Sequence, residues 1–145
     1  MNNIVLARSN IKQAIDRLRY AEEVLSRGNY PFVVRLCQEA VELSLKAALR
    51  LVGIEPPKWH DVGPILKRER GKFPEEFRKY IDKLASISRS LRKERELAMY
   101  GDEVAGVAPE ELYTRDDAVE YFEKAKLVVT KVIELYEELL GEKPA

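Results

Sequence analysis

The chain has one histidine, one cysteine and one tryptophan among 145 residues, and no long hydrophobic run. A single cysteine cannot form an internal disulfide, so the sequence suits a reducing compartment. Cys37 sits in an apolar run of helical spacing, where a buried, inert thiol is expected. One His, one Cys and scattered carboxylates do not match zinc-ligand spacing. Glu-x-x-His pairs, which a di-iron bundle would use, are absent. Gly101 and Gly106 lack the strand–turn–helix context of a phosphate-binding glycine loop. These absences point away from a metal centre or a bound cofactor. Arg8 and Asn10 break up the N-terminal apolar stretch, so no signal peptide is expected. No window is apolar for the length that spans a bilayer. The expectation is a cytoplasmic protein without a membrane segment.

What is present is charge and helical rhythm. Charged residues make up 34% and hydrophobic residues 46% of the chain. The Lys and Glu content with few Asn and Gln resembles thermophile composition. The net charge is +0 but unevenly placed. Residues 1–100 carry 20 Lys/Arg against 13 Asp/Glu, and residues 101–145 carry 5 against 12. Either the helix faces are solvated by different signs, or a basic groove awaits an anionic ligand.

Ile4, Ala7, Ile11, Ala14, Leu18, Ala21 and Leu25 alternate by three and four, one face of an amphipathic helix that Gly28 ends. Asn29 is placed to cap a second helix, about Tyr30–Val52, with Pro31 in its first turn. That helix carries two apolar strips, one through Val33, Cys37, Ala40, Ser44, Ala47 and Leu51, the other through Val34, Val41, Leu45, Ala48 and Val52. Only Arg35, Glu39, Glu42, Lys46 and Arg50 form a thin polar stripe, and Glu42 with Lys46 is spaced as an exposed pair. A helix this broadly apolar is expected at the centre, and a symmetric second copy is expected to cover what one bundle leaves bare.

Gly53 closes that helix. Asp61 caps a short helix to about Arg70 that Gly71 ends, and Pro74-Glu-Glu opens a fourth helix. The fourth helix buries Phe77, Tyr80, Ile81, Leu84, Ile87 and Leu91. Residues 101–113 read as a loop. Thr114 and Asp117 resemble a capping box for a last helix through Ala118, Phe122, Ala125, Val129, Val132, Tyr136 and Leu139. The expected architecture is all-α, an up-and-down bundle of four long helices plus one short helix, in a single domain over residues 1–145.

Candidate chemistry is cationic. Lys67, Arg68, Arg70 and Lys72 end the third helix, and Arg89, Arg92, Lys93 and Arg95 cluster on the fourth. Arg92 and Arg95 are neighbours on one face, with Arg89 extending the row. Arg95 follows the buried strip of Leu84 and Leu91, so it is expected to point inward or toward a partner. Glu39 or Glu42 would be its counter-charge if inward. The functional reading is anion recognition, since guanidinium supplies a fixed fork for phosphate. The ordinary alternative is a solvated face or a structural ion pair. His60, between Trp59 and Asp61, reads as structural rather than catalytic.

The run Cys37-Gln-Glu-Ala-Val-Glu-Leu-Ser-Leu-Lys-Ala-Ala-Leu-Arg-Leu-Val-Gly53, then Pro56-Pro-Lys-Trp-His60-Asp61, Leu66, and Arg95 to Ala98-Met-Tyr100-Gly-Asp102, resembles HEPN domains. The resemblance extends from Ala14 to about Leu139. It implies a helical bundle that commonly dimerises. Many relatives are ribonucleases with an Arg followed after four to six residues by a His. Others bind nucleotides or pair with a small nucleotidyltransferase, as in toxin–antitoxin systems.

Two registers are open. In one, Tyr100 matches a family Tyr, Ala98 takes the His place and Arg92 is the motif Arg. In the other, Tyr100 takes the His place and Arg95 is the motif Arg. Both lose the imidazole, and a phenol of reference pKa near 10 is a poor base at neutral pH. The expectation is therefore a non-catalytic module, a homodimer binding a nucleotide or a nucleotidyltransferase partner. Arg92, Arg95 and Tyr100 would contact the ligand, supported by Glu39, Glu42 and Arg89. RNA ranks lower as a ligand. The alternatives are a metal-independent RNase toxin with an altered motif and a structural helical adaptor.

Overall fold

The computed structural model describes residues 3–58 and 61–144. Four long helices carry the fold: α1 (Asn3–Ser26), α2 (Tyr30–Leu51), α5 (Ile81–Tyr100) and α7 (Arg115–Leu140). Three short ones intervene: α3 (Gly63–Arg68), α4 (Glu75–Arg78) and α6 (Pro109–Leu112). The all-α bundle read from periodicity is the observed architecture, with more short helices than the one expected.

The caps fall where the sequence places them. Gly28 takes a φ of +81°, and the Asn29 side chain accepts a hydrogen bond from the Phe32 amide. Thr114 and Asp117 exchange both bonds of a capping box, at 3.2 and 3.0 Å. Asp61 acts slightly upstream of its expected role: its Oδ1 accepts from the Gly63 amide and from the Ser88 hydroxyl, each at 3.1 Å. It thereby ties the start of α3 to α5.

Helix α2 is central, packing against α1, α5 and α7. Val33, Val34, Cys37, Ala40, Val41, Ser44, Leu45, Ala47 and Ala48 are all buried by this one chain. No second copy is therefore needed to cover α2, and an expected homodimer would have to use another face. Lys46 and Glu42 do pair, at 3.8 Å, but half-buried rather than exposed. Cys37 is fully buried, and burial pushes its thiol up to about 12.

Three expectations need correction. The third helix stops at Arg68 rather than Arg70, and Gly71 lies inside a 3-10 turn, Arg70–Lys72, instead of ending a helix. The fourth helix is two pieces. The chain turns at Lys79–Tyr80, Arg78 folds back to donate to the Phe73 carbonyl at 2.7 Å, and Tyr80 becomes the entry residue of α5. Residues 101–113 are not a featureless loop. Asp102 and Val107 form a two-residue ladder, with N–H···O distances of 2.8 and 2.9 Å, and α6 follows. The Asp102 side chain accepts from the Ala105 amide at 3.0 Å, closing the tip. Tyr113 then straps the segment to α5 by donating to Glu94 at 3.0 Å. Burial first, and then the Glu94 charge, hold the Tyr113 hydroxyl well above the usual phenol range, so it stays a donor.

Candidate functional site

The C-terminal turn of α5 lies beside the first turns of α2. There Arg35, Arg95, Glu96, Met99 and Tyr100 line an open cleft of about 330 Å3. Arg95 and Tyr100 are both exposed, Tyr100 at 59%. They are five residues apart on α5 and reach the same cleft, while α2 contributes Arg35 from its thin polar stripe. An adjoining groove of about 380 Å3 shares Arg35 and Met99 and adds Pro31, Phe32, Ala98 and Pro109.

The other expected site residues are placed differently. Arg92 turns toward α2 and meets Glu42 at 3.5 Å. Glu42 also lies 3.8 Å from Lys46 and accepts from the Gln38 amide at 3.4 Å. Glu39 is held by Arg17 at 2.8 Å and by Arg35 at 3.3 Å, so it serves α1 and α2. Arg95 is exposed rather than inward. Arg89 opens onto a separate cavity of about 640 Å3 with Lys67 and Ser86. The row of three arginines thus splits three ways, and Arg95 alone of them stands with Tyr100. Of the basic run after α3, Arg70 is bonded to Asp82 at 2.8 Å, which holds the Asp82 carboxyl below the usual range. Trp59 and His60 lie outside the described residues.

Arg35, Phe32 and Met99 were not singled out as site residues from the sequence. Arg35 could have been suspected: it is the cation nearest the start of α2, one turn from Glu39. Phe32 and Met99 carry no such mark, because exposed apolar residues gain meaning only from neighbours.

The geometry bears on the two registers. Ala98 is buried, and Arg92 faces Glu42. Arg95 and Tyr100 are exposed and share a cleft. The pairing of Arg95 with Tyr100 is the one that meets solvent. Among the described residues, no group of three or more His, Cys, Asp or Glu is placed to hold a metal. No helix among them is long and apolar enough to cross a membrane.

A bundle of this connectivity, with a basic cleft at the end of its penultimate long helix, defines a helical domain built around a central α2. The HEPN domain model matches residues 7–139, and the chain belongs to that family. TT1696 from Thermus thermophilus, a solved crystal structure, is similar at 25% identity. The alignment covers 97% of this chain and 100% of that one, with a TM-score of 0.69. No curated protein matches the chain.

Proposed function

We propose that this HEPN domain is a non-catalytic recognition module whose α2–α5 cleft binds a nucleotide through its phosphates. The observation that carries this reading is the convergence of Arg35, Arg95 and Tyr100 on one open cleft. Two guanidinium groups supply forks for phosphate oxygens, and an exposed phenol ring offers a stacking surface. Arg92 contributes by pairing α5 with Glu42 of α2 at 3.5 Å. Glu39 pairs with Arg35 itself at 3.3 Å. A phenol in place of the family's imidazole supports recognition over RNA cleavage.

The test is a thermal-shift panel of adenine and guanine nucleotides with inorganic phosphate. A ligand at about 100 times its Kd stabilises by about 2.7 kcal/mol, which for a chain of this size raises Tm by roughly 5–10 °C. The shift should vanish in Arg95→Ala and shrink in Tyr100→Ala. A flat panel refutes nucleotide binding. It would leave the second reading, docking of a partner protein such as a small nucleotidyltransferase in a toxin–antitoxin-like pair. That reading draws support from exposed Phe32, Leu97, Met99 and Tyr100 around the cleft.

A further inference from the structure

The cavity of about 640 Å3 lies along the seam between α3 and α5. That seam is tied at both ends. The Asp61 carboxylate accepts from the Ser88 hydroxyl at 3.1 Å, and Arg70 bonds Asp82 at 2.8 Å. Between these ties Gly63 sits close against α5: a Cβ there would stand 3.2 Å from the Ala85 Cβ and 3.3 Å from its carbonyl oxygen. Two helices held this closely give the cavity fixed walls, with Pro64 and Ala85 as apolar lining. Its volume falls in the roughly 300–1,000 Å3 range of small-molecule sites, far above the ~30 Å3 share of one water.

Two cations line the same space, Lys67 from α3 and Arg89 from α5, together with the Ser86 hydroxyl. Neighbouring cations are ion-paired. Arg68 and Lys72 meet Glu69 at 3.8 and 3.7 Å, and Arg92 meets Glu42 at 3.5 Å. Among the described residues, neither Lys67 nor Arg89 has a carboxylate within ion-pair distance. The Asp82 carboxyl is held below its usual range first by the Arg70 bond and only last by the charge of Lys67. Asp61 also lines the cavity, but its Oδ1 already takes the Gly63 amide and the Ser88 hydroxyl. The lining therefore carries two unpaired positive charges against one carboxylate that is already hydrogen-bonded.

We propose that this cavity is an anion site, independent of the α2–α5 cleft, that takes a small phosphate monoester carrying hydroxyl groups. Arg89 supplies a planar fork to the phosphate oxygens, Lys67 a point charge, and Ser86 a hydroxyl donor. A phosphate monoester loses its second proton near pH 6 and is a dianion at neutral pH, which matches the two cations. The organic part lies against Pro64 and Ala85. Asp61 Oδ2, which makes no hydrogen bond among the described residues, accepts from a hydroxyl of the ligand. A sugar phosphate thus uses more of the cavity than a bare phosphate does.

A titration of the isotope-labelled full chain with ribose 5-phosphate, and separately with inorganic phosphate, tests this by amide NMR. The Gly63, Ser86 and Arg89 amides should shift saturably, with ribose 5-phosphate bound roughly three- to tenfold more tightly than inorganic phosphate. Lys67→Ala and Arg89→Ala, both at exposed positions, should each weaken binding by about tenfold or more with unchanged thermal melts. Arg95→Ala should leave these shifts unchanged, because it stands in the other cleft. A silent Tyr100 amide beside responding Gly63 and Arg89 amides would count against the nucleotide cleft and leave this site standing. The absence of saturable shifts at Gly63, Ser86 and Arg89 overturns the proposal. So do shifts that survive both substitutions, or inorganic phosphate bound as tightly as the monoester.

Discussion

Replacing Gly101 by alanine should be the most damaging glycine-to-alanine exchange in this chain. Gly101 follows α5 with φ +74° and ψ −167°, a region that residues with a Cβ essentially do not enter. Its amide still bonds to the Leu97 carbonyl at 2.9 Å, so the backbone cannot swing away without losing the end of the helix. A Cβ built there would overlap the Val107 carbonyl oxygen and stand 3.0 Å from Pro109. Forcing the dihedrals costs about 1–3 kcal/mol. Relieving an overlap with backbone costs about 1–3 kcal/mol more. Together that is about 2–6 kcal/mol, or roughly 5–20 °C in Tm for a chain of this length.

Gly141 supplies the control. It also has a positive φ, +72° with ψ 13°, but a Cβ there meets no atom within 4 Å. Gly141→Ala should therefore cost only the left-handed penalty, about 1–2 kcal/mol. Denaturant melts of both variants give the comparison, provided the slope is unchanged. If the bundle survives by releasing the hairpin, the cost becomes local, and the Asp102 and Val107 amides lose their protection from hydrogen exchange. Equal stability in the two variants, with both amides still protected in Gly101→Ala, would refute the reasoning.

Arg92→Ala should destabilise the fold by about 0.5–1 kcal/mol in denaturant melts, since its pair with Glu42 is only partly shielded from solvent. Arg95→Ala should leave stability within about 0.5 kcal/mol, because the side chain is exposed. Asn29→Ala and Thr114→Ala each remove a helix cap and should cost about 1 kcal/mol by the same melts. Cys37 should resist alkylation at pH 8 in the native protein and react on unfolding, as followed by mass spectrometry. Its thiol is held neutral by burial while the unfolded thiol ionises near 9, so its contribution to stability is full below pH 9. That contribution is lost as pH rises from 9 toward about 12. A Cys37→Ala variant should show a flatter loss of stability over that window.

The helical bundle was legible because its signals are local. A cap such as Asn29 or Thr114 acts within one turn, and a strip such as Val33, Cys37, Ala40 and Ser44 repeats until it ends. The break at Lys79–Tyr80 left no such trace, because Phe77, Tyr80, Ile81 and Leu84 keep a helical rhythm straight through it. Helix α6 spans only four residues, less than one apolar repeat. The arginines were legible as a cluster but not as three separate roles. Successive residues three apart on α5 fan progressively around the axis. Which one reaches Glu42, which the cleft and which the cavity by Lys67 depends on where α2 and α3 lie. The width of the α2 apolar surface suggests a covering second copy, yet that width is spent on α1, α5 and α7 of the same chain.

The register of the altered motif is itself open to experiment. Each register names a position where an imidazole would restore the family's Arg–His arrangement: Ala98 with Arg92, or Tyr100 with Arg95. Ala98 is 6% exposed and Arg92 faces Glu42, so Ala98→His would crowd a packed turn and cost about 1–3 kcal/mol. Tyr100→His exchanges one exposed ring for another and should leave stability within about 0.5 kcal/mol. It also places a group of reference pKa near 6.5 beside a solvent-facing guanidinium, where proton transfer at neutral pH becomes feasible. Total RNA incubated with EDTA should stay intact with the wild-type chain and be cut slowly by Tyr100→His. If Ala98→His were instead the stable, active variant and Tyr100→His inert, Arg92 and not Arg95 would be the motif arginine, and the cleft would lose its claim to be the family's site.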